Sequence, residues 1–348
     1  MCIFTTKIFG LDISDSSIEA LEIKKSFSHY QIKSYSRIKL ESGLVSDGII
    51  LDSEKLAAKI RNLLEQAKPQ KTSTKNVALC LPESRIYSSL IRLPITIKEK
   101  ELAEAVNNQI PEVLPIEEGT VVTSWQKIGS NSQEQEILIA AIDNNILKSY
   151  IMLAKNLGLK IVSLEMESLA TGRAIIEEVK NNEGVLLLDI GARTSNITVF
   201  DNHGLYSTYS IKIAGQNFTE AISKAKNISL IEAEKFKVKQ EKVADLPELK
   251  PFINELIAEI KKTIDHFEEK SGKNITQGYI VGGSALLDGL LEYLSSALGI
   301  KLQLGNPFTK IENHDIISNE KEKVLFATVM GLAKKAADKD DKIINFIK

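Results

Sequence analysis

Gly184–Phe200 reads GVLLLDIGARTSNITVF. The run Val185-Leu186-Leu187-Leu188 is too apolar for a half-exposed strand and predicts one buried on both faces. It ends on Asp189, and a tight turn of small residues follows at Gly191 and Ala192. The chain then leaves with period-2 alternation, Asn196 and Thr198 on one side and Ile197 and Val199 on the other, which predicts a returning strand. A carboxylate at the tip of a buried strand, beside backbone amides freed by a glycine turn, suits a hydrated cation and a phosphate. The same residues equally suit an ordinary hairpin with a glycine in its turn.

The pattern occurs twice. Phe9–Ile23, FGLDISDSSIEALEI, again gives a short apolar strand, an aspartate (Asp12), a small polar turn (Ser14, Ser16, Ser17) and a returning strand. Asp12 and Asp189 lie about half the chain apart, as expected of a duplicated unit. Two such hairpins facing each other would hold one nucleotide's phosphates from both sides, with the two aspartates sharing Mg²⁺ through water.

With 348 residues the chain is long enough for two domains, and its apolar and charged fractions are those of a folded protein. The net charge of −2, in mixed-sign runs, gives no electrostatic case for nucleic acid. Cys2 and Cys80 form no CxxC pair, which removes zinc and dithiol chemistry and suits a reducing cytoplasm. No apolar run reaches the ~20 residues of a membrane span, and the first residues lack the pattern of a signal peptide. Any membrane contact is therefore expected to be peripheral.

In order, strands are predicted at Lys7–Ile13, Ile18–Lys25 and Gln31–Leu40, a helix from the Asp52 or Ser53 cap to Ala67, and a strand at Asn76–Leu81. Pro82–Gly158 has its own β-α-β-β-α set, with strands at Ile86–Leu93, Val121–Ile128 and Glu136–Ile142 and helices at Lys98–Ile110 and Asn144–Leu157. Pro82, Pro94, Pro111 and Pro115 punctuate it, as expected of an inserted subdomain. A strand at Leu159–Leu164 and a helix at Met166–Val179 precede the central hairpin. After it come a strand at Gly204–Ile211 and helices at Gln216–Ala225, after Ser229, and from Pro247 and Pro251 onward. Tyr279–Val281 ends in Gly282-Gly283-Ser284 and leads into a helix Ala285–Leu298, a strand–glycine turn–helix with amides free for a ligand. A strand at Lys301–Leu304, a helix from about Glu322 to Ala337 and the tail KIINFIK close the chain.

The order DISDSS, MESLA, DIGARTS, AEKFK, GGSALLDG resembles the five nucleotide-site motifs of the actin and heat-shock-chaperone superfamily. The inserted subdomain and Asn306-Pro307-Phe308 narrow the resemblance to the PilM family, the FtsA-like proteins of type IV pilus assembly. It implies an α/β, actin-like (ribonuclease H-like, duplicated) fold of two lobes around a nucleotide cleft. Lobe one would be 1–81, 159–182 and 321–348, and lobe two 183–320 with 213–272 as its small subdomain. The inserted subdomain, 82–158, would bind the partner peptide.

By that resemblance Asp12, Ser14, Ser16 and Ser17 form the first phosphate loop, and Asp189, Gly191, Ala192, Arg193 and Thr194 the second. Asp12 and Asp189 orient Mg²⁺ through water. Gly215 belongs to the same site, Glu234 and Lys237 hold ribose and adenine, and Gly282, Gly283 and Ser284 form the adenosine loop. Without the family, Lys237 reads as a solvated lysine. Glu167 aligns with the group that orients the attacking water in hydrolysing relatives, and also reads as a carboxylate at a helix N-terminus. Ser14 and Ala192 replace glycines of stronger hydrolases, and Asp15 adds negative charge beside the phosphates, so ATP binding with weak or no turnover is expected.

The implied role is a cytoplasmic scaffold, peripheral to the inner membrane, that grips the N-terminal cytoplasmic peptide of a PilN-like membrane protein. Trp125 and Tyr87 read as groove residues or as core aromatics. The competing readings are a small-molecule kinase of the same fold, for which His29, His203, His266 and His314 offer no dedicated base, and an FtsA-like membrane tether through Ile343, Ile344, Phe346 and Ile347. Those tail residues also resemble the Ile-Asn-Leu-Leu pattern of the PilN peptide. Ile344-Asn345-Phe346 is thus expected either as a frayed end or in the groove of a self-associated neighbour.

Overall fold

The computed structural model describes residues 7–26, 28–114, 119–239, 242–338 and 344–347; Cys2, Pro115 and Ile343 lie outside them. The chain opens with β1 (Phe9–Ile13), β2 (Ser17–Ser26), β3 (His29–Lys39), a short pair β4 (Val45–Ser46) and β5 (Ile49–Ile50), α1 (Ser53–Glu65) and β6 (Asn76–Leu81). There follow β7 (Ile86–Pro94), α2 (Glu99–Val113), β8 (Val121–Ser130), β9 (Glu134–Asp143), α3 (Asn144–Asn156), β10 (Lys160–Met166) and α4 (Glu167–Ile175). Then come β11 (Glu183–Ile190), β12 (Ser195–Asp201), β13 (Gly204–Ile211), α5 (Gly215–Lys226), α6 (Leu230–Val238) and α7 (Lys250–Ser271). The last elements are β14 (Asn274–Val281), α8 (Leu290–Leu298), β15 (Lys301–Leu304), α9 (Glu320–Lys323) and α10 (Ala327–Asp338).

Two five-stranded sheets carry the same topology. In one, β1, β2 and β3 form an antiparallel meander and β6 and β10 add in parallel, giving the order β10-β6-β1-β2-β3. In the other, β11, β12 and β13 form the meander and β14 and β15 add in parallel, giving β13-β12-β11-β14-β15. The duplication read from the two hairpins is thus a duplication of whole sheets. Asp12 and Asp189 hold equivalent places, each the penultimate residue of the strand at the centre of its sheet. The apolar run Val185–Leu188 is fully buried, because β11 lies between β12 and β14 and is covered on both faces.

The first compact unit comprises Met1–Ala174, Pro307–Asn319 and Phe326–Lys348; the second comprises Ile175–Asn306 and Glu320–Leu325. Within the first, β7, β9 and β8 make a separate antiparallel sheet with its own core, in which Leu102, Val106 and Ile110 of α2 meet Ile137 and Ile139 of β9. Trp125 packs against that core, whereas Tyr87 is exposed. Also in the first unit, α10 packs on β1, β2 and β6. In the second unit Phe218, Ile253, Ile260 and Phe267 from α5 and α7 close over Leu186 and Leu188 of β11.

Several helix boundaries differ from expectation, α4 ending at Ile175 rather than Val179 among them. α2 continues past Ile110 and carries Pro111 in its last turn, where a fixed helical φ is compatible and the cost is one backbone bond. Because β10 runs on to Met166, α4 starts at Glu167, and Glu165 is a strand residue. The helix predicted from Ala285 is a 3-10 turn, Gly283–Leu286, followed by Gly289 at φ +75° and only then α8. The last helix is broken by a 3-10 turn at Val324–Phe326. Among the described residues no helix is long and apolar enough to cross a membrane.

Candidate functional site

In the first unit, the β1–β2 turn is organised by one hydroxyl. Ser14 Oγ accepts from the amides of Ser17 (3.0 Å) and Ser16 (3.3 Å) and lies 3.0 Å from the Ser17 carbonyl, to which it donates. The serine that stands where a glycine was expected therefore occupies two amides of the loop. Asp15 does not point its charge into this loop. Its carboxylate accepts from the amides of Asp47 (2.8 Å) and Gly48 (3.0 Å), fastening the turn between β4 and β5.

Behind the turn, Asp12 is buried, and its Oδ1 accepts from the Cys80 thiol at 3.1 Å. Burial raises the Asp12 carboxyl above its usual range, although the Cys80 and Ile13 hydrogen bonds act against the shift. On the neighbouring strand, burial pushes Glu19 up to about 8; the Asp12 charge adds to this and Arg37, 2.7 Å away, opposes it. Glu167 belongs to the same cluster: ligand atoms of Asp12, Cys80 and Glu167 all lie within 4.8 Å of one another. Glu167 is held by the amide of Glu83 at 3.4 Å, and Glu83 in return accepts from the Ser168 amide and hydroxyl, both at 3.0 Å. That exchange ties the start of α4 to the turn after β6; Glu167 opens that helix and also lies beside Asp12. Cys80, counted in the sequence only for its pairing, is the residue that was missed. Its signal was its place in the buried strand Asn76–Leu81, beside β1.

In the second unit the remaining residues converge. Gly191 N–H donates to the Thr194 carbonyl at 3.0 Å, closing the turn that holds Ala192 and Arg193. The Gly191 carbonyl accepts from the Gly215 amide (3.1 Å) and the Ser284 hydroxyl (3.0 Å), and Ala192 O accepts from Gln216 N (2.7 Å). The start of α5 and the turn after β14 are thereby pinned to the β11–β12 turn. A Cβ on Gly215 would stand 2.5 Å from Ser284 Oγ, 3.2 Å from Gly191 O and 3.3 Å from Lys237 Nζ, so any side chain there would push the Ser284 hydroxyl off the Gly191 carbonyl.

Lys237 is not a solvated lysine. Its side chain is 11% exposed, and Nζ contacts Glu234 (2.7 Å), Thr219 Oγ1 (2.8 Å) and the Gly215 carbonyl (2.9 Å). Thr219, which also bonds Glu234 at 2.5 Å, is a second residue the sequence reading missed. It sits four residues beyond Gly215 on α5, one turn along the same face. Gly282 has φ +87°, and a Cβ there would collide with the Asp189 carboxylate and Ile190 backbone, so its glycine is required by the protein's own packing. Gly283 is the open one: its Cβ would meet nothing nearer than Leu325 at 4.0 Å.

A family model described as type IV pilus assembly protein PilM matches residues 10–336. The chain belongs to the PilM family. This PilM-family chain superposes on the structure "PilM-PilN type IV pilus biogenesis complex" with a TM-score of 0.82 and 23% identity, covering 96% of this chain and 99% of that one. With MreB 5 of Spiroplasma citri, solved bound to AMPPNP, the TM-score is 0.53 at 14% identity over 95% and 96% of the two chains. The division protein FtsA of Streptococcus pneumoniae serotype 2 (strain D39) is 23% identical, over 86% of this chain and 75% of its own length. Matches to other FtsA proteins span about half of those proteins or less. The fold is that of the actin-like proteins, as its duplicated meander sheets require.

Proposed function

We propose that this PilM-family chain is an ATP-binding scaffold of the type IV pilus inner-membrane platform that grips the cytoplasmic N-terminal peptide of a PilN-like membrane protein. For the nucleotide, the supporting observation is the pair of carboxylates at equivalent strand ends of two duplicated sheets, each beside a small-residue turn. The residues fit the group. Asp12 is a buried carboxylate whose pKa is raised by burial, the environment that a hydrated divalent cation would relieve. Asp12 and Asp189 are assigned to Mg²⁺ through water; Ser14, Ser16, Ser17, Gly191, Ala192, Arg193 and Thr194 to phosphate; and Gly215, Glu234, Lys237, Gly282, Gly283 and Ser284 to the nucleoside. Bound Mg²⁺ would supply charge neutralisation at the phosphates. Glu167 is assigned to orient a water. Its exchange with Glu83 disfavours turnover, and the occupied amides of Ser16 and Ser17 weaken the hold on phosphate.

For the peptide, the support is family membership together with the superposition on a complex in which a PilM protein is paired with PilN. The subdomain of β7, β8, β9 and α2 is the part assigned to the partner, with the chain on the cytoplasmic face of the inner membrane and held there by that partner. A membrane-tether role would need the tail's apolar side chains free for lipid, and Ile344 and Phe346 are 0% and 5% exposed within the protein.

Calorimetric titration with MgATP is expected to show micromolar binding, abolished in the Asp12→Ala, Asp189→Ala double variant. A folded wild type that binds no nucleotide would overturn the assignment and leave the loops as architecture. A second variant tests the first loop alone. Ser14→Gly releases the amides of Ser16 and Ser17, so it is expected to tighten MgATP several-fold while costing about 1 kcal/mol of stability for the lost turn hydrogen bonds. Unchanged affinity would show that these amides do not meet phosphate.

A further inference from the structure

The segment Ile344–Ile347 is seated in its own chain. In the first unit β10 is an outer strand of the five-stranded sheet and β8 an outer strand of the three-stranded one. Such strands present unpaired backbone groups that can template another segment. Ile344-Asn345-Phe346 meets both. Phe346 N–H donates to the Leu164 carbonyl of β10 at 2.9 Å, and Leu164 N–H donates to Asn345 Oδ1 at 3.0 Å, so backbone and side chain together complete the strand's hydrogen-bonding edge. On the other side Ser124 of β8 donates to Asn345 O and accepts from Asn345 N, both at 3.2 Å, and Gln126 Oε1 accepts from Ile344 N at 3.1 Å.

Burial alternates along the segment, with Ile344 and Phe346 buried and Asn345 and Ile347 half-buried. The alternation of β8 explains which of its side chains take part. Trp125 faces the α2 core, and its neighbours Ser124 and Gln126 face the segment. The contacts define a groove that reads an apolar–Asn–apolar sequence bent at the asparagine: two apolar side chains fix the flanks, and Asn345 Oδ1 satisfies Leu164 N and also accepts from Ile347 N at 3.4 Å. The segment follows α10 closely in the same chain, which gives it an effective concentration in the millimolar range.

We propose that Ile344-Asn345-Phe346 is a built-in occupant of the peptide groove between β8 and β10, and that a partner's apolar–Asn–apolar peptide binds by displacing it. This rests on the peptide-binding reading above and names its site. At millimolar effective concentration, a segment with an intrinsic dissociation constant near 100 µM would hold the groove about ten to one and weaken an incoming peptide about tenfold.

The test uses the full chain, as wild type and as the Ile344→Asp, Phe346→Asp variant, which empties the groove. Labelled cytoplasmic N-terminal peptide of the PilN-like partner is titrated by fluorescence anisotropy, with free KIINFIK as competitor. Support is an approximately tenfold tighter partner peptide in the variant, competed by KIINFIK, with hydrogen exchange at the Leu164 amide fast in the variant and slowed again by peptide. Asn345→Ala, a milder change, is expected to give an intermediate gain and guards against misfolding of the double variant. Equal, uncompeted binding by both proteins overturns the displacement proposal and leaves the peptide-binding function standing. Failure of either protein to bind the partner peptide overturns that function and the displacement proposal with it. Wild-type protection at Leu164 that disappears on dilution shows the segment to come from a second copy, and overturns occupancy within one chain.

Discussion

Replacing Arg173 by alanine is expected to cost the first unit about 3 kcal/mol, a large share of the stability of a domain of this size. The reason lies in Glu165, which the strand β10 carries into the interior with no exposed surface. A carboxylate there is tolerable only when paired. Arg173 pairs it in a fork, Nη1 to Oε1 at 2.9 Å and Nη2 to Oε2 at 2.8 Å, and Nη1 also reaches the Gly331 carbonyl at 3.0 Å. Lys335 adds a contact to Oε2 at 3.2 Å. Loss of one partner of a buried pair typically costs about 3–5 kcal/mol, because the other charge stays behind; the retained Lys335 puts this case at the low end. Chemical denaturation of Arg173→Ala and of Arg173→Ala, Glu165→Gln measures it. The double variant is expected to recover none of the loss, since Glu165→Gln also takes the counter-charge at Oε2 from the buried Lys335. A single-variant loss under about 1 kcal/mol, the worth of a solvated pair, would show that the network is not insulated from water.

The second large effect is at Gly331 in α10. In an exposed helix interior, glycine to alanine stabilises by about 1 kcal/mol. Here the sign is expected to reverse, to a loss of about 2 kcal/mol, because overpacking of a rigid backbone contact costs up to about 3 kcal/mol and outweighs the propensity gain. A Cβ at 331 would stand 2.5 Å from the carbonyl carbon of Ala170 and closer still to its oxygen, so α4 and α10 touch backbone to backbone. Backbone cannot rotate away as a flexible side chain does, and relief requires the two helices to part. Parting would also stretch the Thr171–Thr328 hydroxyl contact of 3.0 Å and the Arg173 bond to the Gly331 carbonyl. A rise in the denaturation midpoint of Gly331→Ala would contradict this packing.

Much of the architecture was legible because it is written in short-range patterns. The apolar run into Asp189 and the alternation after it gave β11 and β12, and the same pattern around Asp12 revealed the duplication. Asn76–Leu81, Gly204–Ile211 and Lys301–Leu304 matched to the residue. What stayed hidden depends on partners distant in the chain. Asp15 read as a charge near phosphate, but its carboxylate serves the amides of Asp47 and Gly48 on another turn. Lys237 read as solvated because nothing local announces that Thr219, Glu234 and the Gly215 carbonyl converge on it. The helix predicted from Ala285 failed at Gly289, whose positive φ follows from the turn it makes and not from its apolar spacing. Ile344 and Phe346 gave too short a pattern to separate an anchor, a frayed end and a seated segment; only the two outer strands beside them decide it.

The close fit of α10 on β1 also sets a timetable for the growing polypeptide. Gly10 leaves room for Val329 and Leu332, so β1 is covered by a helix made far later in the chain. The residues between Ala174 and Phe326, most of them the entire second unit, must be translated in between. At about 5–20 residues per second this is a wait of roughly 8–30 s. During it the nascent first sheet displays the face of Ile8, Ala78 and Cys80 that Leu332 later covers to whatever chaperone attends the exit tunnel, while the second unit, continuous but for Glu320–Leu325, has what it needs to fold sooner.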